Sequence, residues 1–410
     1  MRSEIAIIGA GFIGLASAAA LMRDGHRITL FDPAGVGQGA SFGNAGTFAH
    51  YACIPVNNPS VFHDLPRFLL SRDSPFRLRW GYLPHLAPWL VRFMMSSLPR
   101  RYEASAGALA ALLDCAHDGY APLLADAELA RFVRPHECLY LYSSAASFDA
   151  ARPALDLRRQ LGVTFEVLGG SEIRELEPFL APIFERAVLF SNSWHFSDPH
   201  GFLQTLYQQL AAQGLKLERS TVDAVQPAGD GAALSVAGAT RRFSHVVVAT
   251  GARSAQFAKQ CGDPVPLDTE RGYHVRFPGA QQLVSRPVGW AERGFYMTPM
   301  SDGLRVAGTV ELAGFGETRN RSLIDLLTFS SKRALPALDR PDSSWLGFRP
   351  TLPDGVPVLG RSRASERVIY AFGHQHLGLT LAGVSGRIVA DLIARRAPPL
   401  YLPPYSATRF

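Results

Sequence analysis

The chain has 410 residues, more than one hydrophobic core usually holds, so we expect two domains. Hydrophobic residues make up 47% and charged residues 19%, which is typical of a globular protein and excludes a disordered or low-complexity chain. No recognition motif accompanies the net charge of +6, so we expect no nucleic-acid partner. The four cysteines form no C-x-x-C pair, which predicts no metal site, no disulfide framework and a reducing, cytoplasmic compartment.

The first apolar segment, "IAIIGAGFIGLASAAALM", contains Gly9, Gly11 and Gly14 in the order G-x-G-x-x-G. A β-branched run precedes these glycines, and the next apolar run ends at Asp32. In a strand–turn–helix–strand unit of this kind the glycines admit a pyrophosphate and close helix packing, and the acid binds a ribose hydroxyl. The segment therefore predicts a nucleotide-binding unit.

The same segment is eighteen uncharged residues long, close to the length of a membrane span or the core of a secretion signal. Glu4 precedes it, where a signal peptide has basic residues, and Arg23, Asp24 and Gly25 follow it, where a signal peptide has a small-residue cleavage site. We therefore prefer the nucleotide-binding interpretation.

Residues 65–101 form a basic stretch with seven arginines, a single acid, Asp73, and several interleaved aromatic and methionine residues. An amphipathic helix of this composition is typical of a peripheral contact with an anionic membrane surface. A helix packed on its own domain with solvated arginines is the alternative, and the sequence leaves both open.

Two later segments add to the predicted nucleotide site. Residues 199–213 are predicted to form a helix that leads, through a strand ending at Val225, back to the first sheet, and "FSHVVVATGARS" then gives a buried strand and a small-residue turn. Residues 368–372 are predicted as a strand, and a glycine-bounded loop, residues 373–378, leads into a helix over residues 380–395. A helix N-terminus stabilises an anion, and a reduced flavin carries one, so the pattern favours a flavin over a nicotinamide cofactor.

The motif order, together with "GASFGNAG", "ATGA", "GFRPTLPDGVPVLG" and "GHQHLGLTLA", resembles the FAD-dependent D-amino-acid oxidase superfamily over nearly the whole chain. The "SFGNAG" segment is most similar to the bacterial D-amino-acid dehydrogenases and D-hydroxyproline dehydrogenases. The resemblance implies an α/β fold: a discontinuous, Rossmann-like FAD-binding domain and an α+β substrate domain on an antiparallel sheet. We expect residues 1–64, 195–265 and 341–410 in the first domain and residues 65–194 and 266–340 in the second.

The resemblance and the motifs together predict noncovalent FAD, since no Cys or His clearly matches the covalent attachment of some relatives. The residues expected to contact the FAD are Gly9, Gly11, Phe12, Ile13, Gly14, Asp32, Ser41, Asn44, Ala45, Gly46, Val222, Thr250, Gly251, Gly373, His374, Gly378, Leu379 and Thr380.

The resemblance also implies that Arg349, in the "GFRPTLPDG" motif, binds the substrate carboxylate. A guanidinium group suits this task because its planar fork donates two parallel hydrogen bonds. On the predicted strand "DTERGYHVRF", Tyr273 and His274 have opposite faces. By analogy with the family we prefer Tyr273 as the second catalytic residue.

Four further residues carry alternatives. Glu311 is interpreted either as a residue near the active site or as a structural ion-pair partner. His374 and His376 lie in the loop beside the expected flavin edge, where hydrogen-bonded structural roles are commoner than a base, and His195 is a candidate hinge residue.

The resulting hypothesis is oxidation of a D-amino or cyclic D-imino acid to the imine by hydride transfer to flavin N5, with no obligatory side-chain base. The electron acceptor is either dioxygen or a quinone, and the basic stretch favours a quinone at the inner face of the cytoplasmic membrane. The alternatives are a secondary-amine oxidase for sarcosine, glycine or L-pipecolate, and a flavin-carrying subunit of a larger complex. An NAD(P)-dependent dehydrogenase is disfavoured, because it would not need the helix start near Gly373.

Overall fold

A computed structural model describes residues 3–59 and 74–410 of the chain. Numbered along these residues, the strands are β1 Glu4–Ile8, β2 Arg27–Phe31, β3 Thr47–Phe48, β4 Phe76–Leu78, β5 Val133–Arg134, β6 Cys138–Tyr142, β7 Phe165–Gly169, β8 Arg186–Phe190, β9 Trp194–Phe196, β10 Lys216–Glu218, β11 Val222–Ala228, β12 Gly231–Val236, β13 Ala239–Phe243, β14 His245–Val248, β15 Asp268–Phe277, β16 Val288–Trp290, β17 Phe295–Met300, β18 Gly303–Leu312, β19 Ser343–Thr351, β20 Val358–Arg361 and β21 Val368–Phe372.

The α-helices of the same residues are α1 Phe12–Arg23, α2 Leu83–Ser96, α3 Pro99–Asp114, α4 Ala116–Leu124, α5 Ala127–Ala130, α6 Ala145–Gln160, α7 Gly170–Leu176, α8 Pro199–Ala212, α9 Ser254–Gln260, α10 Arg321–Ala334 and α11 Ala382–Ile393. The fold class is mixed α/β with several sheets, as predicted.

A six-stranded sheet with the order β10-β2-β1-β14-β21-β20 carries the predicted nucleotide motifs. Its first five strands run parallel, and β20 pairs antiparallel with β21. After the exposed Glu4, the side chains of β1 are almost fully buried on both faces, which is why residues 5–8 are a continuous apolar run. On one face α1 packs against α11 so closely that a Cβ at Gly386 would lie 2.5 Å from the backbone oxygen of Ala16.

A nine-stranded sheet, mostly antiparallel, forms the second layer system, with the order β19-β15-β18-β17-β16-β6-β8-β7 and β4 paired to β18. One face of this sheet is covered by α10, whose Leu323 and Leu327 are fully buried against strand residues such as Val275 and Val306. The opposite face, which we call the inner face, lies against residues 41–46. Arg305 donates hydrogen bonds from the inner face to the backbone oxygens of Phe42 and Asn44, at 3.3 and 2.9 Å.

The sheet pairing differs from the predicted domain division at two places. Residues 343–351, predicted in the FAD-binding domain, form β19 and pair with β15 in the nine-stranded sheet. Helix α4, predicted in the substrate domain, packs on α11, and a Cβ at Gly119 would lie 2.2 Å from the Val384 nitrogen. Both differences arise because long-range pairing, not sequence distance, decides where a segment packs. The rest of the division stays a prediction.

The bounds of one predicted strand and one predicted helix differ from those in the structure. The strand predicted to end at Val225 is divided: β10 joins the six-stranded sheet, whereas β11 begins a separate antiparallel sheet with β12 and β13. Helix α11 begins at Ala382, later than the predicted Thr380. Strand β15 has the predicted bounds.

The basic stretch is described from residue 74 onwards, and its residues 65–73 lie outside the described residues. Its helix α2 buries Leu86 and Trp89, and the Trp89 indole donates to the backbone oxygen of Thr351 at 3.3 Å. The stretch also exposes large apolar side chains, namely Trp80, Val91, Met95 and Leu98. Within the described ranges, every helix is too short or too polar to cross a bilayer.

Candidate active site and cofactor cradle

The β1–α1 turn is shaped by its glycines. Gly9 has a φ of +105°, and a Cβ there would lie 2.4 Å from the backbone oxygen of Ala249, so only glycine allows β1 and the turn after β14 to approach this closely. A Cβ at Gly14 would lie 1.9 Å from the Gly9 oxygen, which explains the close packing of helix on strand. The turn therefore places backbone atoms, without side chains, at the carboxyl end of the sheet.

Asp32 directly follows β2 and is held by backbone donors. Its Oδ2 accepts from the Ala10 N–H at 2.9 Å, and its Oδ1 accepts from the N–H groups of Ala34 and Gly35 at 3.0 and 3.2 Å. The carboxylate thus faces the glycine turn in a fixed orientation, as the binding of a ribose hydroxyl requires.

The N-terminus of α1 is suited to an anion. The Phe12 N–H donates to the Ser41 hydroxyl at 3.2 Å, and no acidic side chain lies in the first turn. Free N–H groups and the positive end of the helix dipole stabilise negative charge, such as a pyrophosphate.

A cavity of about 430 Å³ runs along these elements, from Asp32 at one end to the loop before α11 at the other. The backbone cradle, the anchored carboxylate and the helix N-terminus fit the ribose and pyrophosphate of FAD. Fourteen residues predicted to contact FAD line this cavity: Gly9, Gly11, Phe12, Ile13, Asp32, Ser41, Asn44, Val222, Thr250, Gly251, Gly373, His374, Gly378 and Leu379. Their contact with the cofactor stays a prediction.

Four residues predicted to contact FAD are absent from the cavity wall: Gly14, Ala45, Gly46 and Thr380. Gly14 instead allows the packing of α1. Gly46 has a φ of +75°, and a Cβ there would lie 2.8 Å from the Phe196 oxygen, so its role is also in packing. The Thr380 hydroxyl accepts from the Ala49 N–H at 3.0 Å.

The loop before α11 positions two histidines. His374 is buried, and its Nε2 lies 2.9 Å from the Ser385 hydroxyl. Burial lowers the pKa of His374 to about 3, so this imidazole is neutral at physiological pH and serves structure. His376, in the same loop, is exposed to solvent.

Arg349 lies on the inner face of the nine-stranded sheet. Its Nη1 and Nη2 donate to the backbone oxygens of Thr309 and Gly308 at 2.8 and 3.3 Å. The Thr309 backbone has a φ of +59° where the β15–β18 register shifts, a strained conformation that turns these carbonyl groups towards the guanidinium. Burial lowers the pKa of Arg349, whereas the charge of Glu270 raises it.

Two facing glycines make room for the side chains of Arg349 and Trp345. Gly272 of β15 pairs with Gly347 of β19, and a Cβ at Gly272 would lie 2.2 Å from the guanidinium carbon of Arg349. A Cβ at Gly347 would lie 1.9 Å from the indole of Trp345. The guanidinium and the indole therefore cover the backbone of the glycine pair. In the sequence, an isolated glycine inside a strand indicates a close approach of this kind.

The structure contradicts the pairing of Tyr273 with Arg349. Tyr273 lies on the opposite face of β15, where its hydroxyl donates to Glu311 and accepts from the Asn320 N–H at 3.1 Å. Its ring belongs to the hydrophobic core under α10. Strand alternation predicts two faces but not which one the helices cover, and here they cover the tyrosine.

His274 occupies the inner face instead. Its ring stacks on Trp345, with centroids 5.3 Å apart, and its Nδ1 lies 3.3 Å from the Gly43 oxygen. Burial and the charge of Arg305 lower the pKa of His274 to about 4, so it is neutral at physiological pH.

Glu311 and His195 have structural surroundings. Glu311 pairs with Arg271 at 3.3 Å and accepts from the Asn320 amide at 2.9 Å, so of its two interpretations the ion-pair role holds. His195 is buried on β9 opposite Thr47, where burial and neighbouring positive charge lower its pKa to about 4.

Several residues that line the cavity were not predicted from the sequence. Trp345, Phe348 and Gln375 line the cavity beside Arg349 and the loop before α11. Arg253 stacks over Phe315 at 4.8 Å, and both line the same cavity. Trp345 lies two residues before the "GFRP" motif and Phe348 lies within it, so their closeness to Arg349 in the chain indicated their place, whereas nothing local indicates Phe315.

Comparison with known proteins agrees with this geometry. The sequence profile of the family described as FAD dependent oxidoreductase (DAO) matches residues 4–392. The chain is 35% identical to a D-amino-acid oxidase of Bradyrhizobium diazoefficiens over 99% of both chains, and 29% identical to D-amino acid dehydrogenase 2 of Ralstonia nicotianae over 99% and 100%.

Solved structures share the fold at lower identity. Glycine oxidase from Geobacillus kaustophilus has a TM-score of 0.75 at 23% identity and covers 100% of this chain and 99% of its own. L-proline dehydrogenase from P. horikoshii has a TM-score of 0.76 at 17% identity, with coverage of 100% and 98%. With a family match over nearly its whole length, the chain belongs to the FAD-dependent oxidoreductases of the DAO family.

Proposed function

We propose that this protein oxidises a D-amino acid or a cyclic D-imino acid to the corresponding imine. The observation that carries the proposal is the placement of Arg349, whose guanidinium is held by two backbone carbonyl groups in front of a glycine pair and beside the FAD cradle. The two relatives that align along their full length, a D-amino-acid oxidase and a D-amino acid dehydrogenase, support the substrate class.

Arg349 is suited to hold a carboxylate. A guanidinium group has five N–H donors, and the two backbone carbonyl groups take one from each terminal nitrogen. The remaining donors are enough for the two parallel hydrogen bonds that fix the plane of a carboxylate. Fixing this plane places the α-carbon and leaves only rotation about its bond to the carboxylate, so it supplies part of the orientation that such a reaction needs.

The cofactor would be held by the residues that line the cavity, with its pyrophosphate at the N-terminus of α1 and its ribose at Asp32. When bound, FAD supplies the acceptor for the hydride. The N-terminus of α11 carries no acid in its first turn, so its dipole favours the negative charge of the reduced cofactor. His274 and His374 are neutral and engaged in contacts, which supports a reaction without an obligatory side-chain base.

An anaerobic titration tests the substrate class. The purified holoenzyme would be mixed in turn with cis-4-hydroxy-D-proline, D-alanine, D-arginine, sarcosine and L-pipecolate while the flavin absorbance is followed. Bleaching by a D-amino or D-imino acid supports the proposal. Bleaching by sarcosine or L-pipecolate alone would replace it with secondary-amine oxidation, and no bleaching with bound FAD would favour a flavin-carrying subunit.

We further propose that the electron acceptor is a quinone reached at an anionic membrane surface. Residues 74–102 contain five arginines and no acid, and the same segment exposes Trp80, Val91, Met95 and Leu98. Apolar side chains flanked by arginines suit the interface of an anionic bilayer.

Sedimentation with anionic liposomes at low and high salt tests this docking. We expect Trp80→Glu and Val91→Glu to weaken binding, whereas Tyr401→Glu, at another exposed aromatic residue, leaves it unchanged. Absence of binding at low salt refutes the membrane surface. If dioxygen reoxidises the reduced protein faster than a soluble quinone does, the proposal that a quinone is the electron acceptor is refuted.

A further inference from the structure

Glu270 is a buried carboxylate next to Arg349 on the inner face. It is only 7% exposed, and on neighbouring strands its register partner is Arg349. Directly opposed residues of an antiparallel pair have Cβ atoms about 5 Å apart. The two side chains therefore start from neighbouring positions on the inner face, beside the glycine pair that the Arg349 guanidinium and the Trp345 indole cover.

Glu270 is not what holds Arg349 in place. The terminal guanidinium nitrogens donate to the carbonyl groups of Gly308 and Thr309, and among the ion pairs of the described residues none joins Arg349 to Glu270. The guanidinium extends over Gly272, two residues along β15 from Glu270. The carboxylate thus lies within the electrostatic reach of the arginine without closing an ion pair.

The positive charge nearest to this buried carboxylate is that of Arg349, which forms no direct ion pair with it in the described residues. Burial raises the pKa of Glu270, while the charge of Arg349 and a hydrogen bond from Thr351 act in the opposite direction. Buried charges are normally paired, because the loss of hydration is otherwise uncompensated. The neighbouring Glu311, on the other face of the same sheet, shows such a pairing with Arg271.

We propose that Glu270 binds the α-ammonium group of the substrate while Arg349 binds its carboxylate. The inference rests on the proposed function and extends it: the site recognises a zwitterion through an adjacent anion and cation. In an α-amino or imino acid the two charged groups are attached to the same carbon, so they require complementary groups side by side, as cross-strand neighbours are. A simple carboxylic acid or a 2-hydroxy acid has no ammonium group to compensate the charge of Glu270, so we expect the site to bind it more weakly.

Two non-reacting ligands with the same carbon skeleton test this assignment. 2-Aminoisobutyrate is a zwitterion without an α-hydrogen, and isobutyrate lacks the ammonium group. Calorimetric titration of the holoenzyme should show that 2-aminoisobutyrate binds roughly tenfold to a hundredfold more tightly, as expected for a hydrogen bond between charged groups. In Glu270→Gln this preference should fall to near one, with isobutyrate bound as well as before or better, because an uncompensated anion has been removed.

The matched control is Glu311→Gln, which removes a buried carboxylate from the opposite face and should keep the ligand preference. Equal binding of the two ligands by the wild type refutes the proposal. This comparison needs no variant, so the proposal remains testable even if Glu270→Gln does not fold. The proposal is also refuted if Glu270→Gln keeps the preference for 2-aminoisobutyrate. It is refuted as well if the variant binds both ligands more weakly by the same factor, because Glu270 would then act only by supporting Arg349. Flavin bleaching by oxidisable substrates decides the proposed function separately.

Discussion

Gly272, which the guanidinium of Arg349 covers, is the most direct position at which to test the proposed binding of the substrate carboxylate. Gly272→Ala adds a Cβ that would lie 2.2 Å from the guanidinium carbon of Arg349, while ordinary contact begins at 3.4 Å, so the guanidinium must retreat by about 1.2 Å. The backbone at Gly272 is not among the positive-φ positions, so the substitution adds no backbone strain. A shift of this size breaks the 2.8 Å hydrogen bond to Thr309 and misaligns the fork.

The expected loss follows from the hydrogen bonds to the substrate carboxylate. Each bond to a charged group contributes about 1.5–3 kcal/mol, so misplacing one of two should raise KM roughly tenfold to a hundredfold. KM would be measured by anaerobic flavin reduction with the substrate identified in the titration. Thermal unfolding and FAD content would be measured on the same preparation.

Gly360→Ala is the matched control, since Gly360 also lies in a strand, in β20, and a Cβ there meets nothing within 4 Å. Its KM should match the wild type. If Gly272→Ala folds, retains FAD and keeps KM within about twofold of the wild type, Arg349 does not anchor the substrate in the way described.

Three further outcomes are expected. Gly9→Ala should abolish FAD retention, because it combines a φ of +105° with a Cβ 2.4 Å from the Ala249 oxygen; a variant purified with full FAD would refute the close approach. Asp32→Asn should weaken FAD binding roughly tenfold to a hundredfold in reconstitution titrations, since it replaces one acceptor oxygen with a donor; unchanged affinity would contradict the ribose assignment. The folded-state pKa of His374 is about 3, below the ordinary 6.5, so this residue stabilises the fold above pH 6.5 and its contribution is lost as the pH falls towards 3. At pH 5 this loss of stability is about 2 kcal/mol. The free energy of unfolding, measured with denaturant, should therefore decrease less between pH 7 and pH 5 for His374→Gln than for the wild type. Equal decreases would refute the low pKa of His374.

Local patterns predicted the parts of the fold that local physics decides. β1 and β2 are buried apolar runs around a glycine turn, and β15 is a long alternating strand, so their bounds follow from the order of residue types. The Asp32 carboxylate lies at the turn because the carboxyl ends of parallel strands meet at one edge of the sheet.

The remaining features depend on contacts that sequence order does not contain. Residues 343–351 look like the start of the final FAD-binding segment, yet their backbone pairs with β15. Tyr273 and His274 are both buried, so composition did not reveal which one lies on the inner face of the nine-stranded sheet. The approach of Phe315 to Arg253 joins segments distant in the chain, and no local pattern indicates it.

The order of the six-stranded sheet has a consequence for synthesis in the cell. Strand β1 lies between β2 and β14, and β14 in turn needs β21 as its neighbour. Because residues 5–8 are apolar, the nascent chain carries an unpaired, aggregation-prone edge until the later strands emerge. At roughly 5–20 residues per second, synthesis from Asp32 to the start of α11 takes on the order of 20 to 70 s. The FAD cradle, which includes the loop before α11, is therefore complete only after this interval.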